Sequence, residues 1–210
     1  MNKEKRYKIL SLFDSKNPNP NTELVFSSNF EFLLCVILSA KSTDVIVNKT
    51  TKILFKIANT PESILLLGLE RLKNYIKHIG LYNTKALNII RTSFLILNKY
   101  QGNIPNNRFE LESLPGVGRK TSNVILNVLF KKKTIAVDTH VFRVSNRTNF
   151  AKGINTEEVE KKLIKVVPNI FKLKIHSWFV LHGRYVCTAR TLKCNICFIY
   201  SLCEFDKKVF

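Results

Sequence analysis

Four cysteines near the carboxyl end, Cys187, Cys194, Cys197 and Cys203, are separated by six, two and five residues. Four thiolates in so short a stretch can wrap one compact soft metal centre, because sulfur ligands suit iron–sulfur clusters and zinc. Disulfides are the first alternative. They fit poorly, since no secretory segment opens the chain and cytosolic thiols stay reduced. Zinc is the second. Structural zinc sites usually present two C-x2-C knuckles, and only Cys194–Cys197 has that spacing. A [4Fe–4S] cluster therefore stands first, with zinc behind it. The fifth cysteine, Cys35, lies in the apolar run from Phe32 to Leu38 and reads as a small buried hydrophobe.

Charge narrows the partners. Lys and Arg number 34 against 15 Asp and Glu, a net +19, and that excess points to a polyanion, with nucleic acid first. A proteome-wide drift toward Lys, Asn and Ile would give a similar balance, so distribution matters more. Between Leu114 and Arg147 stand Arg119, Lys120, Lys131, Lys132, Lys133, Arg143 and Arg147 against a single acid, Asp138. The longest apolar run is far below the ~20 residues that span a bilayer. The chain is expected to be cytoplasmic, with no membrane partner.

The pattern is helical almost throughout. Ser28-Asn29-Phe30-Glu31 is a capping-box signature opening a buried helix through about Ser39. Val45, Ile46, Ile53, Leu54 and Ile57 follow at helical spacings, and Pro61 suits the first turn of a short helix ending near Gly68. Leu87, Ile90, Phe94 and Leu97 predict an amphipathic helix over residues 84–100, ended by Gly102. Asn155 and Glu158 cap another helix that Pro168 closes, and a further one runs from about Lys172 to Cys187. The only strand-like stretch, Thr134–Val137, is too short for a sheet. The fold class is all-α. The cysteine segment is poor in apolar residues, which suggests a second lobe, 133–210, organised around a metal. Asn17-Pro18-Asn19-Pro20 breaks the first helix from the main body.

Leu114-Pro115-Gly116-Val117-Gly118-Arg119-Lys120-Thr121 is the second informative stretch. A short helix around residues 108–113 meets a Pro-Gly-Val-Gly turn, and an apolar-periodic helix follows. Glycines at 116 and 118 permit positive φ and leave backbone N–H groups uncovered at a helix N-terminus, a geometry that holds phosphate oxygens without regard to sequence. An ordinary helical corner would use the same glycines for its turn. Lys120 lies just inside the second helix. There the helix dipole and Arg119 both favour loss of a proton if the site is also partly desolvated, and a neutral lysine makes Schiff bases with carbonyl carbons. Contact with a phosphate is an equal reading of that lysine. Asp138 reads as the N-cap of a helix beginning near Thr139, with one carboxylate oxygen left over for a developing cation. His140 and His182 read as hydrogen-bonded structural histidines.

Together these motifs, with Ala136-Val137-Asp138-Thr139-His140 and His182-Gly183-Arg184-Tyr185, resemble the endonuclease III family from Met1 to about Val209. These are bifunctional DNA glycosylases with a helix–hairpin–helix motif and a [4Fe–4S] cluster. The resemblance implies two lobes with a DNA cleft between them. One is a six-helix barrel over about 22–132, with the helix–hairpin–helix at about 108–130. The other is an iron–sulfur lobe from 1–21 plus 133–210. It also implies excision of oxidised pyrimidines from damaged double-stranded DNA, followed by a nick 3′ to the lesion through a lysine Schiff base. Lys120 matches the catalytic lysine and Asp138 the catalytic aspartate. Gly116, Val117, Gly118 and Arg119 match the DNA-binding hairpin, and Leu81 the apolar wedge that fills the gap behind a flipped base. The four cysteines match the cluster ligands one for one. The cluster is implied to be structural, and the protein a nucleoid-associated monomer.

One position departs from the family. Gln usually stands within Leu-Ser-Ala-Gln-x-Thr-Asp and bonds the orphaned partner base; here the stretch is Leu38-Ser39-Ala40-Lys41-Ser42-Thr43-Asp44. Lys41 donates but cannot accept, so it is expected to prefer O6 and N7 of an orphan guanine less selectively than an amide would. The related adenine-mismatch glycosylases resemble the chain in hairpin and cluster, but need a carboxylate within residues 32–43, where none occurs. A non-catalytic DNA-binding protein leaves Lys120 with Asp138 unexplained. A small iron–sulfur electron carrier leaves the helical body and the +19 charge unexplained.

Overall fold

The computed structural model describes residues 1–209, and among them eleven α-helices and one 3₁₀ turn carry the regular structure. The chain divides into two compact units: Thr22–Phe130, and Met1–Asn21 together with the chain from Lys131 onward. No helix among the described residues is long and apolar enough to cross a membrane.

The unit from Thr22 to Phe130 is built around α2 (Asn29–Leu38), whose residues from Phe30 to Leu38 are all buried. A helix apolar on every side has to sit centrally, and α2 packs against α3 (Asp44–Leu54), α6 (Tyr82–Tyr100) and α8 (Arg119–Val128). The predicted box at its start forms in a shifted way. Ser28 Oγ accepts from the Glu31 N–H at 3.1 Å, but the Glu31 carboxylate reaches past the cap to the Ser27 N–H and to Asn59. Cys35 is fully buried among these side chains, and that burial pushes its thiol up to about 12.

Helix α4 (Pro61–Leu67) begins on Pro61 behind a Thr60–Ser63 box, and Gly68 at φ 75 separates it from α5 (Leu69–Ile76). Both pack on α6. The face that α6 buries is not the predicted one: Leu87 and Phe94 are exposed, while Lys85, Ala86, Ile89, Thr92, Ser93 and Ile96 point inward. The end of α6 also differs, because Gln101 takes the left-handed cap position at φ 52 and Gly102 follows it at φ 82. The short helix α7 (Arg108–Glu112) leads into the hairpin before α8.

The other unit holds α1 (Lys3–Lys16), α9 (Thr139–Arg147), α10 (Thr156–Val166), α11 (Ile175–Tyr185) and the 3₁₀ turn Cys194–Ile196. Ile9, Leu10 and Phe13 carry α1 into one core with Val141, Val144, Phe150, Leu163, Trp178 and Phe179. Trp178 stacks on Phe13 at 5.8 Å and donates its indole N–H to the Asn17 carbonyl at 2.8 Å, so the Asn-Pro break is pinned to this core. Thr134–Val137 forms no strand; it runs as extended chain with Ile135, Ala136 and Val137 buried. Asn155 caps α10 as expected, with Glu158 again bonding one residue beyond the cap, at Ile154.

Candidate functional site

The hairpin starts from two buried anchors, Leu114 and Val117, joined by a 3.0 Å bond from the Val117 N–H to the Leu114 carbonyl. Helix α6 braces it from below: Thr92 donates to the Pro115 carbonyl at 2.9 Å. The two glycines turn out to have different jobs. Gly116 sits at φ 83, and a Cβ there would meet Asn88 Nδ2 at 3.1 Å and Asn88 Cβ at 3.3 Å. Gly118 is extended at φ -98, and a Cβ on it would meet nothing within 4 Å. The expected left-handed conformation is therefore right for one glycine and wrong for the other. Gly116→Ala should cost about 1–3 kcal/mol in denaturant unfolding, from positive-φ strain and the clash with Asn88. Gly118→Ala should stay within about 0.5 kcal/mol of the parent.

Gly118 is the N-cap of α8, and no side chain caps that end. Amide N–H groups of the first turn thus face outward, with Gly116, Gly118, Arg119 and Lys120 all exposed. Such an end holds anions through its N–H groups and the helix dipole. Lys120 is the second residue of α8, and no burial desolvates it here.

In the other unit, Asp138 does what its sequence context demands. Its Oδ1 accepts from the Val141 N–H at 2.8 Å and caps α9, which leaves the second carboxylate oxygen unspent by the cap. The position of α9 depends on Gly183, since a Cβ there would lie 2.9 Å from His140 Cβ and 3.2 Å from Val144 Cγ2. Arg143 then clamps the pair by donating to the Gly183 carbonyl at 2.7 Å and the Cys187 carbonyl at 3.0 Å. The His-Gly-Arg-Tyr motif is thus a packing device for the helix that Asp138 begins.

The four cysteines line a single cavity with His182, Arg147, Ile199 and Tyr200. Tight turns bring them round: Cys187 pairs with Leu192 in one antiparallel bridge, the Cys197 N–H bonds the Cys194 carbonyl, and the Cys203 N–H bonds the Ile199 carbonyl. Burial pushes the Cys197 thiol up to about 11, and Cys203, Cys194 and Cys187 around it push the same way. Burial pushes Cys203 up as well, so ionising these two thiols calls for a compensating cation. Two nitrogens face the sulfurs, Arg147 Nη1 donating to Cys187 Sγ at 3.6 Å and His182 Nε2 at 3.7 Å from Cys197 Sγ. Among the described residues, no three His, Cys, Asp or Glu side chains converge closely enough for a single metal ion.

His182 is hydrogen-bonded as expected, but through one nitrogen only. It is buried, and burial pulls its ring down to about 4, but its Nδ1 has no hydrogen-bond partner; only the nitrogen facing Cys197 is engaged. His140 is bonded as expected, with its Nδ1 at 3.1 Å from Arg143.

Lys41 and Leu81 are both exposed, and both adopt the left-handed backbone region, at φ 54 and 60. Sequence reasoning missed what lies beneath them. Lys85 is almost wholly buried, its ammonium pulled down to about 8 by burial, and it donates to the Leu38 and Ala40 carbonyls and to Ser42 Oγ. Nothing in its neighbourhood along the chain announces this. The signal is three-dimensional, a lysine under the carbonyl end of α2.

The profile of HhH-GPD superfamily base excision DNA repair proteins matches residues 34–169. The chain belongs to that family. Within it the likeness is to endonuclease III. The chain is 77% identical over 210 residues to endonuclease III of Buchnera aphidicola subsp. Acyrthosiphon pisum, covering 100% of both chains. It is 57% identical to endonuclease III of Escherichia coli strain K12 over 209 residues, covering 100% of this chain and 99% of that one. Among solved structures it is similar to a trapped endonuclease III–DNA covalent intermediate, an estranged-adenine complex. The TM-score is 0.91 at 41% identity, over 97% of this chain and 96% of that one. The architecture shared with these HhH-GPD proteins is the all-helical one described above.

Proposed function

We propose that this chain excises oxidised pyrimidines from duplex DNA and then nicks the abasic site by β-elimination, with Lys120 as nucleophile. The observation that carries the reading is the placement of an exposed lysine at the second residue of a helix whose uncapped N-terminus follows a Pro-Gly-Val-Gly turn. Phosphate held on those amides brings a sugar within reach of that amine. That a covalent enzyme–DNA intermediate was trapped with the similar endonuclease III supports a covalent route.

Each residue then has a chemical task. A damaged pyrimidine stacks poorly, so extruding it costs less than the few kcal/mol of a sound base. Leu81 fills the gap, and Lys41 donates to the orphaned partner, preferring guanine O6 and N7. The Asp138 oxygen that the cap leaves over stabilises positive charge at the sugar, and the Lys120 ammonium loses its proton to solvent before it attacks. The amine attacks C1′ and the glycosidic electrons leave with the base; the nitrogen lone pair then forms C=N as the C1′–O4′ bond breaks and O4′ takes up a proton. The resulting Schiff base acidifies the C2′ proton, and its removal expels the 3′ phosphate.

The four thiols would hold a [4Fe–4S] cluster, the group that best fits one cavity lined by four sulfurs, with two nitrogens facing them and no single-ion site. Bound there it would supply folding free energy to the segment that holds it, and no step of base removal runs through it. The protein works as a cytoplasmic, nucleoid-associated monomer in this reading.

The test is a duplex carrying one thymine glycol. The expected product ends in the unsaturated aldehyde left by β-elimination. A base released with the strand intact would remove the lyase half of the proposal, and an untouched duplex would remove both halves.

A further inference from the structure

The left-handed region costs a non-glycine residue about 1–2 kcal/mol, so two such residues on neighbouring loops require something that holds them there. The hydrogen bonds show what does. The Lys85 ammonium lies under the carboxyl end of α2, where the last carbonyls of a helix lack intrahelical partners and a cation is favoured. It donates to the Leu38 carbonyl at 2.8 Å, to the Ala40 carbonyl and to Ser42 Oγ at 3.4 Å. Ser42 Oγ in turn accepts from the Gly80 N–H at 3.2 Å. One hydroxyl therefore joins the loop that carries Lys41 to the loop that carries Leu81. The approach is close enough that a Cβ on Gly80 would lie 3.1 Å from the Lys41 carbonyl.

We infer that Lys85 and Ser42 are positioning residues that lock the Lys41 and Leu81 loops into one rigid rim, so that both side chains enter the duplex together. This rests on the reading that Lys41 and Leu81 meet the bases. A buried ammonium is an expensive way to hold a loop, and it is retained where its donors are all used. An apolar residue of the same length would fill the space but leave the Leu38 and Ala40 carbonyls unpaired. Neither residue touches the reacting atoms. Their effect is on how completely the damaged base leaves the stack, and the hairpin's hold on phosphate does not depend on them.

The experiment uses a duplex with thymine glycol next to 2-aminopurine, whose fluorescence rises when its neighbour unstacks. Lys85→Met, Ser42→Ala and Leu81→Ala are compared with the parent. For Lys85→Met the fluorescence rise should be lost and single-turnover excision should fall by about tenfold to a hundredfold, the scale of a misplacement near 1 Å. Affinity for undamaged duplex and the melting temperature should match the parent, a split that a general folding defect would not give. Ser42→Ala should slow excision about tenfold, since it removes the bond from the Gly80 N–H and the longer one from the Lys85 ammonium. It decides the matter if Lys85→Met does not melt cooperatively. Parent-like fluorescence and excision in Lys85→Met, or in Ser42→Ala when it must decide, overturns the inference. If Leu81→Ala loses the rise while the Lys85 and Ser42 variants keep it, only the rim inference falls. If Leu81→Ala keeps it, the wedge reading falls and takes the rim with it.

Discussion

Lys120→Ala should abolish borohydride trapping on abasic-site duplex, because it removes the amine to which the covalent intermediate is assigned. Duplex binding should survive, since the outward N–H groups of the α8 N-terminus belong to the backbone and Arg119 remains beside them. Asp138→Asn should fail differently. Its Oδ1 accepts from the Val141 N–H, and an asparagine oxygen caps a helix equally well, so α9 and the melting temperature should be preserved. What is lost is the charge of the second oxygen. Excision of a damaged base should slow by roughly 10²–10³-fold, the scale for removing one group that stabilises transition-state charge. Cleavage of a preformed abasic site should suffer less, because no glycosidic bond has to break. Gel-resolved trapping and single-turnover excision on the two substrates separate these outcomes. A Lys120→Ala protein that still traps would assign the nucleophile to another amine and overturn the mechanism.

The hairpin turn and the Asp138 cap were legible because each rests on local backbone chemistry, whereas the catalytic roles proposed for Lys120 and Asp138 come from the family resemblance. A Pro-Gly-Val-Gly turn followed by an apolar period marks a turn leading into a helix, and an aspartate ahead of Thr139 suits a cap. The same local logic placed the starts of α2, α4 and α10. It failed wherever the deciding partner was remote in sequence. Glu31 and Glu158 each bond one residue beyond the cap, a choice made by loop geometry that a capping pattern does not encode. Gly118 needed no special conformation; its value lies in the bare surface it leaves at the helix end.

Helix α6 shows the failure most clearly. Its largest apolar residues, Leu87 and Phe94, predict one face, yet the helix buries another made of Ala86, Ile89, Thr92, Ser93 and Ile96, with Lys85 at its top. Hydrophobic periodicity weighs size and greasiness, whereas close packing under a hairpin selects small residues and hydroxyls that can bond a loop carbonyl, as Thr92 does at Pro115. A lysine in such a stretch reads as solvated, because an isolated buried cation is costly. Only the convergence of the α2 carbonyls makes its burial sensible. Much the same holds for His182, whose nitrogen faces Cys197 only once α11 and the 3₁₀ turn are in place.

Cys194→Ser should remove the broad absorption near roughly 400 nm and reduce iron from about four atoms per chain to a trace, since a [4Fe–4S] centre needs all its thiolates. The structural consequence should be confined. The core of this unit is supplied by α1, α9, α10 and α11 through Leu10, Phe13, Val144, Leu163, Trp178 and Phe179, none of which depends on a metal. Beyond Cys187 the chain has one bridge, one 3₁₀ turn and few buried side chains, chiefly Ile199 and the ring of Phe198 against Phe13 at 4.9 Å. Without a cation, four crowded thiols gain nothing from closing on one another, and burial already opposes ionisation of Cys197 and Cys203. Metal binding there is folding free energy for the segment. Amide exchange should therefore lose protection from about residue 187 onward while α9 and α11 keep theirs, and limited proteolysis should cut first among residues 188–209. Stoichiometric zinc without iron or sulfide, in protein made with ample iron, would replace the cluster in this account. Iron retained in Cys194→Ser would remove Cys194 from the ligand set.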